Sequence, residues 1–176
     1  MFKMEKNEYL YKIIAAGDGG VGKTTLLHRY VEGKFKIDTI MTIGVGFFYK
    51  SVDIGANRYN LQLWDFGGEQ HFRAILDSYA KGSQGAMLVI DLTRLSSVNK
   101  LDEWVEIIRK EDEGIPIILI GSKCDLENKI SITDEYALEI KEKYDLKEYI
   151  KTSSKTGFNV DKVFQSITNY VINNRK

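Results

Sequence analysis

The chain has 176 residues, 43% of them apolar and 28% charged, with 25 Lys plus Arg against 25 Asp plus Glu. That length and apolar share suit one globular domain, 1–176, with a sizeable core. A formal net charge of zero supplies no excess of cations to neutralise a phosphate backbone, so nucleic acid is excluded as an expected partner.

The first twelve residues carry Lys3, Glu5, Lys6, Glu8 and Lys12 without an apolar run, and so do not read as a secretory signal. Residues 9–16 form the first strand-like run, followed by a glycine-rich turn and helical spacing over 23–32. Strand-like runs at 45–54 and 59–66, separated by Gly55-Ala56-Asn57-Arg58, read as a hairpin. Helical spacing then covers 69–81, 97–111, 133–144 and 160–173, alternating with strand runs at 86–91, 115–121 and 149–152. The longest nearly uncharged apolar stretch, 114–121, is far shorter than the roughly 20 residues of a membrane-spanning helix. Cys124, the lone cysteine, allows no intrachain disulfide, which sets a reducing cytoplasmic compartment as the expectation.

Strands alternating with helices imply βαβ units: an α/β fold with a six-stranded, mostly parallel sheet, helices on both faces and one antiparallel strand at an edge. Runs such as Ile13-Ile14-Ala15-Ala16 and Ile117-Ile118-Leu119-Ile120 fit strands buried on both sides. In open sheets of this kind ligands sit at the carboxyl ends of the strands.

The first strand ends in Gly17-Asp18-Gly19-Gly20-Val21-Gly22-Lys23-Thr24, which matches GxxxxGK[ST] between a strand and a helix. Its four glycines let the backbone curl so that successive N–H groups face phosphate oxygens, and the following helix adds its positive end. Lys23 is placed to reach β and γ phosphates, and the Thr24 hydroxyl to ligate Mg²⁺.

Asp65-Phe66-Gly67-Gly68 closes a strand as DxxG, Ser122-Lys123-Cys124-Asp125 follows the fifth strand, and Thr152-Ser153-Ser154-Lys155 follows the sixth. With Thr42-Ile43-Gly44 after the first helix, these resemble in order the motifs of the P-loop G domain of Ras-like small GTPases, over 9–172. Thr42-Ile43-Gly44-Val45, Leu63-Trp64-Asp65 and Asp91-Leu92-Thr93 look Rab-like, whereas Gly67-Gly68 is more similar to the Arf and Sar branch. The resemblance implies a switch that binds GTP or GDP with Mg²⁺, hydrolyses GTP slowly and meets effector, exchange-factor and activating proteins through 39–46 and 67–79.

Position by position, it implies a nucleotide site of Gly17, Gly19, Gly20, Val21, Gly22, Lys23, Thr24, Thr25, Phe35, Thr42, Gly68, Ser122, Lys123, Asp125, Ser153, Ser154 and Lys155. Asp125 is expected to pair with the N1–H and N2–H₂ donors of guanine, a pairing that adenine cannot make. Lys123 and Phe35 would pack on the base, although Phe35 alone reads equally well as a loop anchor. The Ser154 N–H would donate to guanine O6, between Ser153 and Lys155. Thr24, Thr42 and Asp65 are the implied metal ligands, Asp65 through a water. Lys23, Thr42, Gly68 and Glu69 are the implied catalytic set.

Two positions depart from the family pattern. Glu69 stands where a water-orienting glutamine is usual, and an ionised carboxylate only accepts hydrogen bonds. Impaired hydrolysis, a working alternative through Glu69, and a slip that brings Gln70 into place all remain open. Ser122 replaces the usual asparagine and is expected to be too short to bridge from base to phosphate loop. His28 reads as structural, and His71 as part of the switch surface. The sequence shows no prenylation cysteine at its end and has Phe2 where myristoylation needs glycine, so either the sequence stops short of a lipidated tail or the protein is not anchored by those routes. A cytoplasmic monomer, peripheral to membranes through partners, is expected. A GTP-loaded scaffold that does not hydrolyse is the competing reading. A P-loop kinase or ATPase would need a lid and acceptor site that the motifs leave no room for.

Overall fold

The computed structural model describes residues 6–37 and 40–175. Residues 1–5 of the expected non-signal segment, Thr39 of the expected switch loop, and Lys176 lie outside the described residues.

In chain order the elements are β1 (Asn7–Ala16), α1 (Lys23–Glu32), β2 (Val45–Ile54), β3 (Asn57–Phe66), α2 (Arg73–Ala80), β4 (Gly85–Asp91), α3 (Leu101–Arg109), β5 (Ile117–Ser122), α4 (Asp134–Lys143), β6 (Tyr149–Lys151) and α5 (Val160–Asn174). They build one six-stranded sheet in the order β2-β3-β1-β4-β5-β6, with β2 alone antiparallel, at the edge. The expected hairpin is tighter than its turn residues suggested. Ile54 pairs directly with Asn57, so only Gly55 and Ala56 lie in the turn, and Gly55 takes the left-handed φ of +59° there. The expected helices at 69–81 and 97–111 each open instead with a short 3₁₀ turn, Gln70–Phe72 and Leu95–Val98.

Alternation along the strands divides the core. Ile14, Ala16, Leu88, Ile90, Ile117 and Leu119 face α2, α3 and α4, where Trp104 and Leu76 are fully buried. Ile13, Ala15, Met87, Val89, Ile118 and Ile120 face α1 and α5, through Leu26, Leu27, Val163 and Ile167. Each Ile, Leu, Val or Met among them contributes roughly 1.5–3 kcal/mol of burial, and one residue of register slip would turn every one to the wrong face. The carboxyl ends of β1, β3, β4 and β5 are thereby fixed along one rim. Among the described residues, no helix is long and apolar enough to cross a membrane.

Candidate nucleotide site

At that rim lies a cavity of about 520 Å³. One end is lined by Gly19, Gly20, Gly22, Lys23 and Thr24, and the other by Phe35, Lys123, Asp125, Ser154 and Lys155. Thr25, Thr42, Gly68 and Ser122 line it as well. The structure thus brings together most of the residues that the motifs nominate. Gly17, Val21, Ser153, Asp65 and Glu69 lie outside the lining.

Gly17 and Val21 act from behind. A Cβ on Gly17 would fall 2.3 Å from the Val89 carbonyl oxygen, so only glycine lets the loop leave β1 across β4. Val21 is fully buried among the α1 and α5 core residues and anchors the loop. Ser153 is likewise buried, and its Oγ accepts from the Thr156 N–H at 3.1 Å, shaping the turn that presents Ser154.

Lys23 Nζ donates to the carbonyls of Gly17 (2.7 Å) and Asp18 (2.8 Å), threading under the loop. Burial pushes its ammonium down to about 8, although Asp65 and Asp18 pull the other way. A desolvated cation of this kind is stabilised by an incoming polyanion.

Thr24, Thr42 and Asp65 converge on one point. Thr24 Oγ1 lies 2.6 Å from Thr42 Oγ1 and donates to Asp65 Oδ2, which Thr42 also reaches at 3.0 Å. Asp65 is 1% exposed, and its Oδ1 has no hydrogen-bond partner among the described residues. Burial raises its carboxyl group, against the opposing pull of Thr24 and Lys23. An orphaned buried carboxylate oxygen beside two hydroxyls is an all-oxygen donor set, which fits Mg²⁺ that keeps part of its shell for phosphate and water. Among the described residues, no cluster of three or more His, Cys, Asp or Glu offers a rival metal site.

The two loops that flank this point are stitched together. The Gly67 N–H donates to the Gly44 carbonyl at 2.7 Å, and a Cβ on Gly68 would lie 2.2 Å from the Gly19 nitrogen. Glycine at 68 is what allows that backbone to rest on the phosphate loop.

At the other end of the cavity, Asp125 is half-buried and contributes to the lining. Phe35 lines the cavity and is not part of the buried core. Lys123 sits at a left-handed φ of 62° and donates to the Gly20 carbonyl at 3.1 Å and to Asp91 Oδ2 at 2.6 Å.

Ser122, expected to be too short to bridge from base to phosphate loop, does reach the loop itself, since its Oγ donates to the Val21 carbonyl at 2.5 Å and lies 3.0 Å from that of Ile90. β5 and the loop approach so closely that a hydroxyl spans the gap that an amide would otherwise fill.

Glu69 Oε2 pairs with His71 Nε2 at 3.1 Å, and Gln70 Oε1 accepts from Lys100 Nζ at 3.1 Å. Gln70 is therefore tied to the start of α3. His28, on α1, contacts Glu32 at 2.9 Å and meets the ring of Phe48 edge-on, as a structural residue would.

Two residues were given no role by the motif reading. Asp91, at the end of the buried strand β4, accepts from the Thr93 N–H (2.9 Å) and hydroxyl (2.6 Å) as well as from Lys123. Its signal in the sequence was the Rab-like Asp91-Leu92-Thr93 that closes an apolar strand. Buried Arg73, at the start of α2, pairs with Glu103, lies over the Trp104 ring at 4.7 Å and stands 4.0 Å from Asp18, tying α2 to both α3 and the phosphate loop.

Comparison with known proteins gives a consistent picture. Residues 12–173 match the pattern of the Ras family. The Ras-related protein Rab-13 of Canis lupus familiaris is 33% identical over 166 residues, 94% of this chain and 81% of its own. Rab-11A of Dictyostelium discoideum is 36% identical over 164 residues, covering 93% and 76%, and RABA2a of Arabidopsis thaliana is 36% identical over 168, covering 95% and 77%.

Proposed function

From the premise that the chain belongs to the Ras family of small GTPases, and is Rab-like within it, we propose the residue roles by which it works. The protein is a guanine-nucleotide-binding molecular switch that binds GTP and GDP with Mg²⁺ and hydrolyses GTP. Membership of a hydrolysing family disfavours the scaffold alternative. Its partners are the nucleotide and the regulators and effectors that the family implies.

In the proposed arrangement the whole of 1–176 serves as a single G domain. Lys23 and the N–H groups of 19–24 hold the β and γ phosphates, and Thr24, Thr42 and Asp65 hold the metal ion. When bound, Mg²⁺ neutralises charge on the β and γ oxygens. Asp125 reads guanine N1–H and N2–H₂, Lys123 and Phe35 flank the base, and Ser153, Ser154 and Lys155 frame O6. The Gly68 N–H addresses the γ-phosphate, and Thr42 meets it only in the triphosphate state. Loss of that phosphate releases both loops, because the Gly44 to Gly67 hydrogen bond couples them. Glu69 supplies no donor to the water or to the phosphoryl oxygens, so intrinsic turnover is slow. Ile43, Phe47 and Tyr79, exposed beside these loops, support partner contact there. A monomer in the cytoplasm, peripheral to membranes through its partners, completes the reading.

The observation that carries these roles is that Thr24 and Thr42, which meet at the Asp65 carboxylate, line the same cavity as Asp125. Incubation with radiolabelled GTP and with ATP, followed by separation of bound nucleotide and free phosphate, tests them. Retained GTP with slow phosphate release is expected, and equal retention of ATP would refute the role of Asp125.

A further inference from the structure

Every carbonyl of the phosphate loop has a named donor. Lys23 takes those of Gly17 and Asp18, Lys123 that of Gly20, Ser122 that of Val21, and the Leu26 N–H that of Gly22 at 2.9 Å. The remaining carbonyl, that of Gly19, accepts from Arg94 Nη2 at 2.6 Å. Arg94 comes from the loop after β4, 75 residues away in sequence, and no motif nominates it. Its Nη1 lies 3.5 Å from Asp18 Oδ2 and its Nε 3.9 Å from Asp91 Oδ2, the oxygen that also receives Lys123. Two cations moored at one buried carboxylate therefore grip successive carbonyls of the cradle from outside.

We infer that Arg94 is a positioning residue for phosphate binding, which holds the 19–20 peptide with its N–H turned toward the phosphates of a nucleoside di- or triphosphate. The inference rests on the GTPase reading of the cradle and adds a residue to it. In a planar trans peptide the C=O and N–H point in opposite directions, so a carbonyl fixed outward presents its N–H inward. A carbonyl that accepts from a cation also polarises its peptide, and the N–H becomes a stronger donor. The guanidinium further offsets Asp18, an acid within the loop that would otherwise repel the incoming anion. Arg94 is 38% exposed, so its contribution to folding is small and its effect belongs to the bound state.

The test uses the full chain and compares GDP with GMP, which lacks the phosphate that Lys23 and the cradle address. Affinities of both are measured by competition against a fluescent GDP analogue at fixed Mg²⁺, for wild type, Arg94→Ala and Arg94→Lys. The expected result is about a 3–10-fold loss of GDP affinity in Arg94→Ala, with GMP affinity unchanged and most of the loss recovered in Arg94→Lys, which keeps one donor for the Gly19 carbonyl. Should Arg94→Ala fail to fold, Arg94→Gln takes its place in the comparison. Equal losses for GMP and GDP would mark a general softening and overturn the inference. So would no loss for either, or an Arg94→Lys as weak as Arg94→Ala. A wild type that does not prefer GDP to GMP refutes the cradle assignment and the inference with it. A preserved preference that Arg94→Ala leaves untouched refutes the inference alone.

Discussion

Replacing Ser122 by alanine deletes one oxygen and isolates the contribution of the shortest link between β5 and the phosphate loop. Ser122 is 6% exposed, and its hydroxyl is the donor that satisfies the Val21 carbonyl at 2.5 Å. A buried acceptor left without its donor costs about 1–3 kcal/mol. The free protein recovers part of this by letting the loop relax, but the nucleotide-bound protein cannot, because its cradle must keep its shape. The difference therefore appears as faster nucleotide release, about 5–150-fold if all of it is expressed there. Stopped-flow displacement of a fluorescent GDP analogue by excess GDP at fixed Mg²⁺ reads that rate directly, with thermal melting of the loaded protein as the check on folding. The preference for GTP over ATP should stay, since Asp125 is untouched. A release rate within twofold of wild type would show that the hydroxyl does not stand in for the family's asparagine amide.

Asp125→Asn should weaken GTP binding and shift preference toward xanthine nucleotides, whose C2 carbonyl complements an amide donor; competition by the triphosphates of both bases decides it. Glu69→Gln restores a donor beside the γ-phosphoryl oxygens and should raise the single-turnover rate of phosphate release from preloaded GTP, whereas a large drop would show Glu69 acting as a base. Lys23 gives a pH signature of known sign. Its ammonium is held at about 8, below the ordinary lysine range, and a bound polyphosphate raises it again, so nucleotide affinity should fall by up to about tenfold per pH unit above 8 and be flat below it. The stability of the nucleotide-free protein should move the other way over the same range, because the unfolded chain then holds more protons than the native one. Equilibrium binding and urea unfolding at pH 7, 8 and 9 check both.

The glycine-rich loop, DxxG, the motif that carries Asp125 and the alternation of strands and helices were legible in the sequence because each is a local pattern with its own period or spacing. What escaped it depends on which distant groups meet. Ser122 and Val21 are 101 residues apart, Lys123 and Gly20 are 103 apart, and no spacing rule measures the gap between β5 and the loop. Glu69 is a similar case, since the sequence placed it at the catalytic position but could not show that its carboxylate turns to His71 or that Gln70 is held by Lys100.

The central place of β1 in the sheet bears on how the chain is made. β1 pairs on one side with β3 and on the other with β4, both of which follow it in sequence. During synthesis at about 5–20 residues per second, its apolar Ile13-Ile14-Ala15-Ala16 run waits several seconds for its first parallel neighbour. Parallel pairings of such sequence separation form slowly, because loop closure must precede any gain. The nascent chain therefore exposes this apolar run, buried in the finished sheet, longer than any other strand's, which makes the interval before β3 emerges the step at which chaperone binding or aggregation competes with folding.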